Sequence, residues 1–278
     1  MPAVGRAVVV SVAVAVVAAA TIGVVLTLTS DDDAQTRPSA DESAAAYSPS
    51  IDPAGFTTTV DNPYFPLPPG ARWVYEGRVE DGLERTVVEV TGDTRVVMGV
   101  TCVVVRDTVT LDGEVIEDTV DWFAQDADGA VWYFGEETYE YEDGEIVSTE
   151  GAWEAGVDGA QPGIVMPARP RVGDSYRQEY YQGEAEDAAE VLSLTEAATV
   201  PVGRYDDLLV TEDVNPLEPE VVEHKYYARG VGPILTVQVQ GGSDREELVE
   251  APGSPPGYPA AAEEPLASTM LPARVVLR

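Results

Sequence analysis

The chain has one cysteine, one histidine and, among its sixteen basic residues, a single lysine. Each scarcity excludes something. Cys102 has no partner for an internal disulfide, so the fold must stand on its core, and within an apolar run it reads as an inert buried thiol. No cysteine lies near the N-terminus to carry a lipid. A lone histidine, His224, cannot build a multi-histidine metal site, and no serine sits in a nucleophile elbow. Fifty acidic residues against so few basic ones give a net charge of −34, which repels nucleic acid and anionic membrane surfaces. The reading is a solvating surface suited to salty surroundings, with cation binding by clustered carboxylates as the sharper alternative. No cofactor and no metal site are expected.

What is present begins with an apolar, charge-free run from Ala7 to Ser30. As a helix it would span about 36 Å, enough to cross a bilayer's hydrocarbon core. Arg6 before it and Asp31-Asp32-Asp33 after it favour an inside N-terminus. Residues 1–30 are therefore expected to be a transmembrane anchor, with secretion after cleavage near Ala18-Ala19-Ala20 as the alternative. Either places the remainder outside the cytoplasm. Residues 31–60 read as a flexible linker, 61–249 as one β domain, and 250–278 as a Pro/Ala-rich disordered tail.

Within the domain, apolar-patterned runs are separated by Asp81-Gly82, Asp112-Gly113, Asp128-Gly129 and Asp143-Gly144, the pairs most able to make tight hairpin turns. The Asp-Ala-Asp-Gly at 126–129 has its glycine too early for an EF-hand and reads as a turn. The expected fold is all-β: a curved antiparallel sheet or open barrel. Tyr64, Phe65 and Leu67, in a stretch too rich in proline for helix or central strand, are expected to plug one end of the sheet. Trp153 to Val172 reads as an irregular crossing connection. Three matched points (Gly70 with Gly173, Val97 with Pro201, Asp121 with Lys225) recur at offsets of 103–104, which suggests two related halves, about 70–150 and 173–249.

Alternation along strands puts Ile116, Val120, Trp122 and Ala124 on one side, expected to be the buried one, and Glu117, Thr119 and Asp121 on a wet side. By the same reasoning Val222, His224, Tyr226 and Ala228 point inward, His224 as a satisfied buried histidine. Arg106 and Asp107 lie on opposite faces, so one of them must face the apolar side or its rim; a buried Arg106 would pair with an acid such as Asp118. These positions give the candidate ligand-binding residues His224, Trp122, Tyr226, Trp132 and Arg106, and no catalytic residue.

The segment Asn62-Pro-Tyr-Phe-Pro-Leu-Pro-Pro-Gly70 followed by Trp73-Val-Tyr-Glu76, with Pro162-Gly-Ile-Val-Met-Pro167 and Glu223-His-Lys-Tyr-Tyr-Ala-Arg-Gly-Val-Gly232, resembles a family of secreted bacterial proteins of uncharacterised role. The resemblance covers about residues 51–249 and implies export and a single domain, without an activity. The expected function is an envelope-associated, membrane-anchored binding protein for an apolar or glycan ligand. Two rivals stand beside it. One is a carbohydrate-active hydrolase using carboxylates among Glu136, Glu137, Glu140, Glu142 and Asp143; the other is a calcium-dependent adhesive module.

Overall fold

A computed structural model describes residues 47–253; the apolar run at 7–30 and the tail beyond 253 lie outside the described residues. After a 3-10 turn at Pro53–Gly55 the regular elements of the described residues are all strands: β1 (Phe56–Thr57), β2 (Arg72–Val79), β3 (Gly82–Val97), β4 (Val100–Leu111), β5 (Glu114–Asp126), β6 (Val131–Glu142), β7 (Glu145–Ser148) and β8 (Trp153–Glu154). They continue with β9 (Gln161–Met166), β10 (Ser175–Arg177), β11 (Glu179–Tyr180), β12 (Ala188–Val200), β13 (Gly203–Val214), β14 (Val222–Ala228), β15 (Gly232–Gln240) and β16 (Arg245–Glu250).

The turn chemistry does what the sequence requires. Asp112 and Gly113 take φ of 50° and 91°, and Asp143 and Gly144 take 52° and 78°. Positive φ at both central residues is the twist-matched hairpin turn. At 126–129 the turn is held by the Asp126 carboxylate, whose Oδ1 accepts N–H groups from Asp128, Gly129 and Ala130 at 2.9–3.0 Å.

The strands order as β10-β12-β13-β14-β15-β16-β2-β3-β4-β5-β6-β9-β11, with antiparallel pairing. The two end strands, β10 and β11, are separated in the chain by Gln178 alone. Both edges of the sheet thus meet on one stretch, and the sheet curls into a nearly closed antiparallel barrel, which removes most of its exposed edge. The β3–β4 hairpin closes on Val97 opposite Val100, and the β12–β13 hairpin on Val200 opposite Gly203.

One end of the barrel is apolar and stoppered. Tyr64, Phe65 and Leu67 are buried against Trp73, Tyr75, Val88 and Phe123, with the Phe65 and Phe123 rings 5.6 Å apart. Asn62 fixes the plug: its Nδ2 donates to Gly129 O (2.8 Å) and Pro167 O (3.2 Å), and its Oδ1 accepts the Tyr64 N–H (2.9 Å). Trp73 Nε1 donates to Val231 O at 2.8 Å and Tyr75 Oη to Pro233 O at 3.1 Å, so both polar tips are satisfied. Burying Phe65 alone contributes about 1.5–3 kcal/mol. Cys102 is fully buried, and burial pushes its thiol up to about 12.

Several expectations are corrected. Trp153–Val172 is not merely a crossing connection: it carries β8 and β9, which pair with β6. From Tyr47 onward the stretch read as linker lies on the barrel, with Phe56 paired opposite Asp126 and its ring edge-on to Trp132 and Phe134.

The face assignment holds for Trp122, Ala124 and Ala228, which are buried, and is inverted over the rest of both strands. Glu117, Thr119 and Asp121 are buried and Val120 is only half-buried; Lys225 and Tyr227 point inward and His224 outward. Equating the polar face with the wet face failed because one half of this barrel has a polar interior.

Candidate functional site

Away from the plug the barrel is lined by a girdle of acids and hydroxyls. Strand pairing brings it together rung by rung: Asp107 faces Thr119, which faces Thr138, and Asp121 faces Glu136. On the other wall Thr211 faces Lys225, Lys225 faces Thr236, and Thr236 faces Glu246. Gly77, between Glu246 and Glu84, has no side chain to separate them. A Cβ there would meet Arg245 O at 2.9 Å. The carboxyls of Glu84, Asp107, Glu117, Asp121, Glu136, Glu179, Asp213 and Glu246 are all buried.

Lys225 is the cation inside this girdle. Its Nζ lies 3.2 Å from Asp213 Oδ2 and 3.8 Å from Glu223 Oε2. Burial works to lower its pKa, but Asp213, Glu223 and Asp187 outweigh that and raise it. It cannot neutralise so many acids, and burial favours the protonated form of carboxyls left without a cation. Burial first, then neighbouring carboxylates, pushes Glu84 and Asp187 up to about 8 and Glu117 and Asp121 up to about 7. Asp107, Glu136, Glu179 and Glu246 are raised well above the ordinary carboxyl range for the same two reasons.

The girdle reaches the surface beside Glu136. Where β8 joins β6, a cleft of about 370 Å³ opens, lined by Arg95, Trp122, Glu136, Glu137, Trp153, Glu154 and Tyr181 together with the Ala152 and Val157–Ala160 segments. That volume suits a small ligand. Gly135 makes the junction possible: its φ is 129°, and a Cβ would lie 2.3 Å from Trp153 O.

The parts of the cleft are tightly placed. The Arg95 guanidinium carbon sits 3.8 Å from the Trp122 ring centroid and pairs with Glu154, with Glu137 3.9 Å away. Trp153 packs edge-on to Tyr133 at 5.3 Å and donates its Nε1–H to Glu179 at 2.9 Å. Tyr133 Oη donates to Asp121 at 2.6 Å. Glu136 accepts the Thr138 hydroxyl on one oxygen at 3.1 Å, while its Oε1 meets no donor.

Comparison with known proteins assigns no family. No protein-family model and no curated protein matches the chain. Among solved structures, a Bacteroides fragilis protein with a YmcC-like fold, thought to be exported, aligns at 14% identity and a TM-score of 0.40, over 68% of this chain and 98% of that one. A Parabacteroides distasonis protein thought to be a lipoprotein aligns at 14% identity and a TM-score of 0.37, over 68% and 97%. Likeness at this level settles neither fold name nor function.

The five residues singled out from sequence do not converge. Trp122 lines the cleft. Trp132 is half-buried, its Nε1 donating to Asp126 at 2.9 Å. Arg106 is exposed and grips Asp118 with two hydrogen bonds of 2.7 and 2.6 Å, so the pairing expected for it forms on the outside, while Asp107 takes the interior. His224 and Tyr226 lie on the outer face of β14, six strands along the sheet from β5, with His224 Nε2 3.5 Å from Glu212.

Arg95, Trp153, Glu154 and Tyr181 escaped sequence reasoning. Trp153 carried the one usable signal, a large aromatic in a stretch otherwise read as loop.

Proposed function

We propose that this protein is an extracytoplasmic, membrane-anchored binding protein that holds a small ligand in the cleft beside β6 and β8, without transforming it. The observation that carries this is the cleft: about 370 Å³ faced by Trp122, Trp153 and Tyr181, with polar groups at its floor and rim. Aromatic rings with a few fixed polar groups are what orients a ring-shaped ligand, sugars included. The charge-free N-terminal run supports the anchor and the extracytoplasmic setting.

The test is native mass spectrometry of the purified full chain, followed by the same measurement on Ala152→Trp. Ala152 is exposed at the cleft, so an indole there fills the opening and leaves the core alone. A small molecule retained by the wild type and lost by this variant is the expected result. Equal retention by both would place binding elsewhere and end this reading.

A second reading, glycoside hydrolysis, draws on Glu136, a buried carboxyl of raised pKa in an aromatic cleft, as a general acid requires. Against it, the carboxyl facing Glu136 across the strands is Asp121, which is buried in the barrel and does not line the cleft. Release of reducing sugar from oligosaccharides by the wild type and not by Glu136→Gln would establish the hydrolase.

A further inference from the structure

Resting on the cleft as the binding site, we infer that its ligand is a small organic cation: an ammonium group carried on a ring-shaped body, the ring against the cleft's aromatic side chains and the ammonium on Glu136.

Three independent features lead there. First, the cleft already holds a cation of its own. Arg95 lies over the Trp122 face at 3.8 Å, steadied by Glu154 and Glu137. An indole face backed by carboxylates attracts positive charge and offers an anion nothing. Second, Glu136 is 3% exposed yet lines the cleft, and its Oε1 has no hydrogen-bond donor. A buried carboxyl oxygen without a donor is costly, and an incoming N–H would supply the missing bond. Third, Glu137, Glu154 and Asp158 face Arg95 alone among the other charged groups of the lining. Phosphates, uronates and other anions are repelled.

Binding of this kind moves a proton. Asp121 and Glu117 from β5 and Glu179 from β11 crowd Glu136, with the Tyr133 hydroxyl close by on β6 and Trp153 packed over it from β8. Burial and these neighbouring carboxylates favour the protonated form of Glu136 in the empty cleft. When the ammonium arrives, its N–H bonds to the Glu136 carboxylate, the carboxyl proton leaves to solvent, and the ligand keeps its own charge. Affinity therefore rises with pH for as long as the ligand stays protonated.

The experiment is titration calorimetry on the full chain with matched probes: cyclohexylammonium against cyclohexanol, and glucosamine against glucose. The ammonium member of at least one pair is expected to bind about tenfold or more tightly than its neutral partner, the scale of a charge-assisted hydrogen bond. Its affinity should rise with pH while the probe's ammonium stays protonated, with a proton appearing in the buffer. Glu136→Gln should erase the preference for the ammonium member of the pair. Arg95→Met, a surface change that leaves Glu136 in place, should tighten ammonium binding by freeing the Trp122 face.

Neutral and ammonium probes binding equally, and both blocked by Ala152→Trp, would sink the cation inference but keep the cleft. Ammonium binding indifferent to both Glu136→Gln and Arg95→Met would sink it too. Tight binding of any probe that Ala152→Trp leaves unchanged would sink the cleft itself.

Discussion

Lys225 sits inside the barrel between Asp213 and Glu223, and at this scale one side chain decides a large energy. Removing one partner of a buried charge pair leaves the others uncompensated. Lys225→Met is therefore expected to lower unfolding free energy by about 3–5 kcal/mol in urea titrations near neutral pH. The deficit should shrink in acid, where the carboxyls are neutral. A variant as stable as wild type at both pH values would contradict this account of the girdle. Gly135 is the second such residue. With φ at 129° and Trp153 O in the space a Cβ would take, Gly135→Ala should cost about 2 kcal/mol or more in the same assay and expose Trp153 to fluorescence quenchers.

Among elements, the plug and the β8–β9 closure matter most. The plug has little regular hydrogen bonding of its own, so its order depends on Asn62 and on the rings beneath it. Asn62→Ala removes bonds to Gly129, Pro167 and Tyr64, each worth about 1 kcal/mol net. Phe65→Ala opens a cavity against Phe123 and should cost about 3–5 kcal/mol. Both losses should be visible as lowered thermal midpoints, and amide hydrogen exchange should speed up at Val231 and Ile234 before the distant β12–β13 hairpin loosens. Uniform loosening would mean that the plug is not a separate structural unit.

The hairpins were legible because Asp-Gly pairs constrain φ locally. Strand β9 was not, because Gln161–Met166 contains Pro162 and Gly163 and becomes a strand only through its neighbours. A Cβ at Gly163 would meet Gln178 backbone at 2.3 Å, so it is close packing against the closing stretch, absent from any local pattern, that selects glycine there.

For the whole molecule the acid girdle sets the response to pH. Glu84 titrates near 8 when folded against an ordinary value of 4.5, and Asp187, Glu117 and Asp121 shift the same way. Between those limits the folded protein holds more protons than the unfolded chain. Stability is thus fully present in acid and is lost as pH rises through the raised values, by about 1.4 kcal/mol per pH unit for each proton involved. The thermal midpoint is expected to fall from about pH 5 to about pH 8; a flat or rising profile would refute it. With a net charge of −34, added salt should raise the midpoint at the alkaline end by screening self-repulsion.

The β class, the hairpin turns, the plug and the inert thiol followed from sequence, because each rests on local sterics or on an apolar residue's aversion to water. Which side of each strand faced inward did not follow. Trp122-Phe123-Ala124 and Tyr226-Tyr227-Ala228 are apolar on both faces, so alternation loses its phase there. The remaining clue, that acids belong in water, points the wrong way once a closed sheet surrounds them. Only tertiary closure, which joins β10 and β11 through Gln178 and sets Trp153 against Glu136, could turn scattered carboxyls into an enclosed girdle that meets the surface at the cleft.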